Sequence, residues 1–324
     1  GDDVPGVTGE VVYIERPMPG HPWLLPLSSL KHDDLPSVGA KNLSLGLLGM
    51  AILWQERCPQ GAFSLFALTR TRRLRTATLI GLGRLGEGIA EMDKMLALCG
   101  FPCATLNPAF VVSLLEQFAA QGLRWLGRIP RFDPALQKEV ATEILLCTEC
   151  VGSALVMRCD ARRMLFVSLL GINLAERFQL VGYYATCASI LAFALFAAGL
   201  TSLSQRYLQI AEDRRAQIQD LRVDENIHTV RACIAQCVGN WQGVETDLAV
   251  SIELCHKLGD STREQLDQLV LLSNRYFTAR YEATLLDVDR LERLAVQSGN
   301  AQYQGWCVLA RVAVALQLGR FQDA

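Results

Sequence analysis

Residues 239–260 read GNWQGVETDLAVSIELCHKLGD. The stretch opens on a Gly239-Asn240-Trp241 turn. Val244, Leu248, Ile252 and Cys255 then place apolar side chains on one face of a helix. It stops at Gly259-Asp260, where glycine takes the left-handed conformation that ends a helix. The same punctuation returns 40 residues later, with Ala279-Arg280-Tyr281 opening a turn and Gly299-Asn300 closing a helix. Gly319-Arg320-Phe321 opens a third turn, and Gly199 with Leu200-Thr201 stands one period upstream. A fixed period of this length is the signature of a helical repeat array. One helix pair cannot bury its apolar face alone, so neighbours must stack. The fold class predicted is all-α: a right-handed α-solenoid of antiparallel helix pairs, with the first helix of each pair lining a concave face. The register also places Trp241, Tyr281 and Phe321 at equivalent turns, wedged between neighbouring pairs.

Composition agrees with that class. The chain has 324 residues, 51% hydrophobic and 20% charged, which excludes a disordered chain. A net charge of −2 gives no electrostatic footprint for nucleic acid or anionic membrane. The 11 cysteines are scattered, and several fall on apolar helix faces, as expected of reduced, buried thiols in a cytoplasmic protein. Cys147 and Cys150 form one C-x-x-C inside a helical stretch, and the four histidines lie far from it in sequence. No metal site is expected.

Taken in order, residues 1–38 read as an irregular leading segment or the end of a preceding domain, rich in Gly, Pro and Asp. Residues 39–324 read as the helical-repeat region, with about 40 residues per repeat over 160–324. The chain ends just after a turn has opened, so a further helix is expected to cover Trp306, Leu309, Val312 and Leu316. Leu35 to Asn42 resembles the glycine-lysine entry of phosphoenolpyruvate-utilising ATP-grasp enzymes. No alternating strand and helix pattern follows it, so it reads as a loop before a helix over Asn42 to Glu56. Arg70, Arg72, Arg73 and Arg75 read as a solvated helix face.

Two stretches invite other readings. Gly81-Leu82-Gly83-Arg84-Leu85-Gly86 satisfies G-x-G-x-x-G, the turn that brings backbone N–H groups to a pyrophosphate. That fold requires a strand before the turn and an acidic residue about 20 positions on. The residues after it, Cys99 to Pro108, carry no acid. Leu82-Gly83-Arg84-Leu85 also parallels Leu318-Gly319-Arg320-Phe321, so a repeat turn is the preferred reading. Phe178 to Gln205 carries no charge over 28 positions, long enough for a membrane span. Its glycines, glutamines, serines and threonines, and the repeat register cutting it at Gly199, favour a helix buried on all sides of a solenoid.

Several units resemble the tetratricopeptide-like tail of large signalling proteins. In those proteins a class III adenylate/guanylate cyclase domain, or a protein kinase, is joined to an AAA/STAND-type ATPase. Gly81 to Ile89 followed by Ala97 to Pro102 is similar to the tail's GLGR stretch. Leu170 to Arg177 resembles its A-L-N-L-A-E-R helix. Gly239-Asn240-Trp241 with Leu258-Gly259-Asp260, and Gln304-Gly305-Trp306 through Leu318-Gly319-Arg320, resemble successive repeats. The resemblance spans about residues 70–324. It implies a non-catalytic, cytoplasmic region for protein–protein interaction and regulation. It carries over no catalytic, cofactor-binding or metal-binding residue.

The partner expected is therefore a protein or peptide, or neighbouring domains of the same chain, with no nucleic acid and no membrane. Arg231, Arg275 and Arg311, polar positions on the first helices, are the expected groove contacts. The alternatives are a nucleotide-binding enzyme domain using the Gly81–Gly86 turn, and a membrane-associated sensor using Phe178–Gln205.

Overall fold

The computed structural model describes residues 64–103, 108–126 and 136–320. The leading segment, the Asn42–Glu56 helix and Phe321 lie outside them. Every regular element in the described residues is a helix: α1 (Leu65–Gly81), α2 (Leu85–Leu98), α3 (Pro108–Trp125), α4 (Lys138–Met157), α5 (Ala161–Arg177) and α6 (Val181–Ala197). They continue as α7 (Thr201–Arg215), α8 (Leu221–Cys237), α9 (Trp241–Leu258), α10 (Ser261–Phe277), α11 (Tyr281–Ser298) and α12 (Ala301–Gln317). From α4 onward each helix packs on the next as an antiparallel neighbour, which gives the all-α helical-repeat solenoid. The first helices α1, α4, α6, α8 and α10 form an inner layer, each touching the next. The second helices α2, α5, α7, α9 and α11 alternate with them. Helix α3 stands outside the alternation and packs on α5.

The 40-residue register is visible in the helix starts. Second helices begin at Ala161, Thr201, Trp241 and Tyr281, and first helices at Val181, Leu221, Ser261 and Ala301. Its physical carriers are left-handed residues at the turns: Cys159, Gly199, Gly239, Ala279 and Gly319 after the first helices, and Gln179, Gly259 and Gly299 after second helices, all have positive φ. After each, the next N–H reaches back along the chain, Asp160 to the Leu155 carbonyl and Asn240 to the Ala235 carbonyl, both at 2.9 Å. Leu200, Arg280 and Arg320 repeat the bond at the same distance. This is the Schellman closure, which satisfies the orphan carbonyls of a helix end. Where a second helix follows, the residue that makes the bond is also its N-cap. Asn240 accepts from the Gly243 N–H and Asp160 from the Arg163 N–H. Two residues thus close one helix and start the next, which holds the pairs antiparallel.

Gly83 belongs to the same class of turn, with φ +79 and the Arg84 N–H bonded to the Leu79 carbonyl. The residues before it, Thr76 to Leu79, are helical, so α1 stands where a dinucleotide fold requires a strand. The turn is also filled. A Cβ on Gly83 would stand 2.7 Å from Asn300 Oδ1 and 3.0 Å from the Gln302 backbone nitrogen. The start of α12 therefore seats on the α1–α2 turn, and Met157 of α4 packs against the Val288–Tyr303 cluster. The array curls until its first and last described pairs meet.

Two expectations are corrected. Arg72 and Arg73 do not form a solvated face. Arg72 pairs with buried Glu91 of α2 at 2.9 Å, and Arg73 pairs with Glu143 of α4. The stacking that buries α1 between α2 and α4 brings these acids to its basic side. Second, Trp241 and Tyr281 do stand at equivalent positions, each the first residue of a second helix. They are not wedged between pairs: Trp241 is 37% exposed, resting its ring 6.4 Å from that of Phe277, and Tyr281 lies 5.9 Å from Tyr276. A residue at the very start of a helix overhangs the turn rather than the interhelix seam. The charge-free stretch contains α6, which packs against α5, α7 and α8 within the array; among the described residues, α4 is the helix long and apolar enough to cross a membrane. Of the apolar window of α4, 61% is buried inside the array, as for a core helix.

Candidate functional site

A cavity of about 360 Å³ opens on the concave side. Every residue lining it comes from the inner layer, α1, α4, α6, α8 and α10, or from the Asp260 cap of α10. This follows from the contacts among these helices, which form one continuous layer. Ile80, Leu146, Val156, Ile190, Phe193 and Leu266 form an apolar wall. The charged residues of the lining are Glu149, Arg222, Glu225, Asp260 and Arg263.

The charged groups divide into those that are satisfied and those that are not. Arg263 is ion-paired with Glu225, which is 2% exposed, and its guanidinium lies 3.8 Å from Asp260. Asp260 caps α10, accepting the Thr262 and Arg263 N–H groups. Asn226 Oδ1 accepts from the Ser189 hydroxyl at 2.5 Å, tying α8 to α6. Glu149, in the wall formed by α4, has neither a hydrogen bond nor an ion pair from its side chain among the described residues. Burial pushes its carboxyl above the ordinary range, opposed by the charges of Arg263 and Arg222. Arg222 is exposed at the rim, where water solvates it.

Behind the cavity lies a second polar cluster between α8, α9 and α10. Asp267 is fully buried. The Thr229 hydroxyl lies 2.7 Å from its Oδ1, and the Ser251 hydroxyl 2.6 Å from its Oδ2. Cys255 Sγ is 3.6 Å from the same Oδ2. Burial, then the neighbouring Glu225, pushes the Asp267 carboxyl up to about 7. Oxygen and sulfur atoms of Glu225, Cys255 and Asp267 lie within 4.8 Å of one another, close enough to suit a metal. The two carboxylates are already engaged by Arg263, Thr229 and Ser251, and burial holds the Cys255 thiol protonated. The arrangement is that of a hydrogen-bonded core network.

The three arginines expected as groove contacts are held in ion pairs. Arg231 pairs with Glu212 of α7 and Asp247 of α9, at 3.2 and 3.3 Å. Arg275 holds Asp287 of α11 at 2.7 Å, and Arg311 holds Asp289 and Glu292 at 2.8 and 2.6 Å. All three turn toward acids of the second helices, and none lines the cavity. The C-x-x-C cysteines are free thiols one turn apart on α4. Cys147 is buried and Cys150 lines the cavity, its thiol pushed up to about 12 by burial. Sequence reasoning does not single out Glu149, Glu225, Arg263 or Asp267. The available signal is a set of charges at positions where the helix period calls for apolar residues. No family model matches the chain, and no curated protein matches it.

Proposed function

We propose that this chain is a non-catalytic helical-repeat region that binds a protein or peptide segment, or a neighbouring domain of its own polypeptide, on its concave face. The observation that carries the reading is the lining of the cavity. It draws on five successive inner helices and joins an apolar wall to charged groups, as a recognition surface built by stacking does. Sequence resemblance to the tails of signalling proteins with ATPase and cyclase or kinase modules supports a regulatory role, in which occupancy of the groove is coupled to modules elsewhere. A binding region of this kind needs the array to hold its curvature, and the seating of α12 on the α1–α2 turn supplies that.

The test is selection of peptides from a display library on the intact chain, followed by titration of the selected peptides. Val156 on the concave wall is 37% exposed, and Val250 on the second helix α9 is 39% exposed. Similar exposure makes them a matched pair. Val156→Arg should abolish binding and Val250→Arg should leave it unchanged. Peptides lost with Val250→Arg and retained with Val156→Arg would place the binding face on the second helices and overturn the proposal.

A further inference from the structure

The concave cavity carries a carboxylate that the protein does not satisfy. Glu149 lines it together with Ile190, Phe193 and Val156, with no hydrogen bond and no ion pair from its side chain among the described residues. The other acids of the lining are committed. Glu225 is held by Arg263, and Asp260 by backbone N–H groups of α10. Glu149 is half-buried, and Arg263 and Arg222 act on it by charge without bonding it, so its oxygens are left for a partner. The lining holds three acids, Glu149, Glu225 and Asp260, and two arginines, Arg222 and Arg263, so acids outnumber guanidiniums. A single cation would balance the lining. The volume, about 360 Å³, is at the lower end of small-ligand pockets. The apolar lining and the unbonded acid together select for a ligand with both characters.

We propose that the cavity binds a monocation on an apolar body, an alkylammonium or alkylguanidinium group that pairs with Glu149 while its hydrocarbon rests on Ile190, Phe193 and Val156. The group has two sources, a Lys or Arg side chain of a segment laid in the groove, or a free amine. The inference rests on the concave face being the binding face. The raised proton affinity of Glu149 fits this assignment, because burial disfavours the bare anion and an arriving cation would supply the counter-charge in place of a proton. Arg222 at the rim does not make an anion site, since it is exposed and solvated. Phe193 adds an aromatic ring to the lining, a surface to which such a cation is attracted.

The experiment titrates the intact chain with n-hexylammonium, hexanol and hexanoate, read by amide and methyl chemical shifts. Saturable millimolar binding of hexylammonium is expected, with hexanol and hexanoate weaker by about tenfold or more. Glu149→Gln keeps the shape and removes the charge, so it should fold and lose the preference for hexylammonium over hexanol. Glu149→Asp should restore part of that preference. A blocked Leu-Lys-Leu peptide and its norleucine counterpart separate the sources. Lysine-dependent binding at Glu149 assigns a side chain, and binding of hexylammonium alone assigns a free amine. Equal binding of hexylammonium by wild type and Glu149→Gln, a preference for hexanoate lost in Arg222→Ala, or no binding of any probe would overturn the proposal. None of these results bears on the matched Val156 and Val250 test, so a peptide groove without a cation site remains distinguishable from no groove at all.

Discussion

Asp267 makes stability depend on pH in the direction opposite to that of a salt-bridged acid. Its carboxyl lies between α8, α9 and α10, fully buried, and is pushed up to about 7 by desolvation and by Glu225. In the unfolded chain the group titrates near 3.9. The folded state therefore binds this proton more tightly than the unfolded state. By linkage, its contribution to stability is fully present below about pH 4 and is lost as pH rises through about 7. A difference of about three pK units corresponds to roughly 4 kcal/mol across that window. The Thr229 and Ser251 hydroxyls, at 2.7 and 2.6 Å, limit the loss by solvating the anion when it forms. Glu225 moves in the same direction, raised by burial, but Arg263 opposes it, so Asp267 dominates.

Asp267→Asn removes the titration and keeps the shape. It changes hydrogen bonding to Ser251 and Thr229 at every pH by a similar amount, on the order of 1 kcal/mol. The informative quantity is the difference between variant and wild type as a function of pH. That difference should move in favour of the asparagine variant by about 4 kcal/mol between about pH 4 and pH 8. Urea unfolding followed by circular dichroism gives the global value. Amide exchange in α8 to α10 gives the local one, which matters because a repeat array need not unfold in one step. Parallel curves for the two proteins, or a wild type that gains on the variant as pH rises, would refute a proton held between Asp267 and its neighbours.

The repeat turn supplies a second test. Ala279 has φ +58 where its register partner Gly239 has φ +77, so Ala279→Gly should raise stability by about 0.5–1 kcal/mol and Gly239→Ala should lower it by about 1 kcal/mol or more, read by urea midpoint. A Cβ on Gly171 would stand 2.5 Å from Cys187 Sγ between α5 and α6. Gly171→Ala should destabilise by about 1–3 kcal/mol, and Cys187→Ala should recover much of that in the double variant, measured as a coupling energy. Truncating Arg263 to Ala should cost about 3–5 kcal/mol in thermal or chemical unfolding, because Glu225, only 2% exposed, would keep its charge without a partner. Replacing Glu225 and Arg263 together by Gln and Met should cost much less than Arg263→Ala alone.

The sequence is explicit about the backbone and silent about the cavity, for one physical reason. A left-handed residue is a local requirement. Gly199, Gly239 and Gly319 announce it at fixed spacing, and the N–H that closes each turn finds its acceptor in the last turn of the same helix. The same locality hides two members of the series, since Cys159 and Ala279 reach positive φ with no glycine to mark them. Tertiary pairing is not local. Arg73 finds Glu143 and Arg163 finds Asp93 each 70 positions away, so a basic run that reads as a solvated face becomes internal once α4 and α5 stack on α1 and α2.

The cavity shows the same rule from the other side. Arg231, Arg275 and Arg311 are conspicuous in the sequence as charges on otherwise apolar first helices, yet each is claimed by an acid on the adjacent second helix. Glu149 is inconspicuous, one acid beside a pair of cysteines in α4. What distinguishes it is that Arg222 and Arg263 act on it by charge yet no described residue bonds it, a property of the assembled inner layer. The interior acids Glu91, Glu143, Glu225 and Asp287 each receive an arginine, and Asp267 receives two hydroxyls. Against that pattern stands Glu149, half-buried in the cavity lining and bonded by none of the described residues. An unpaired carboxylate retained there lowers the stability of the empty protein, and a cation entering the groove would recover that free energy as affinity.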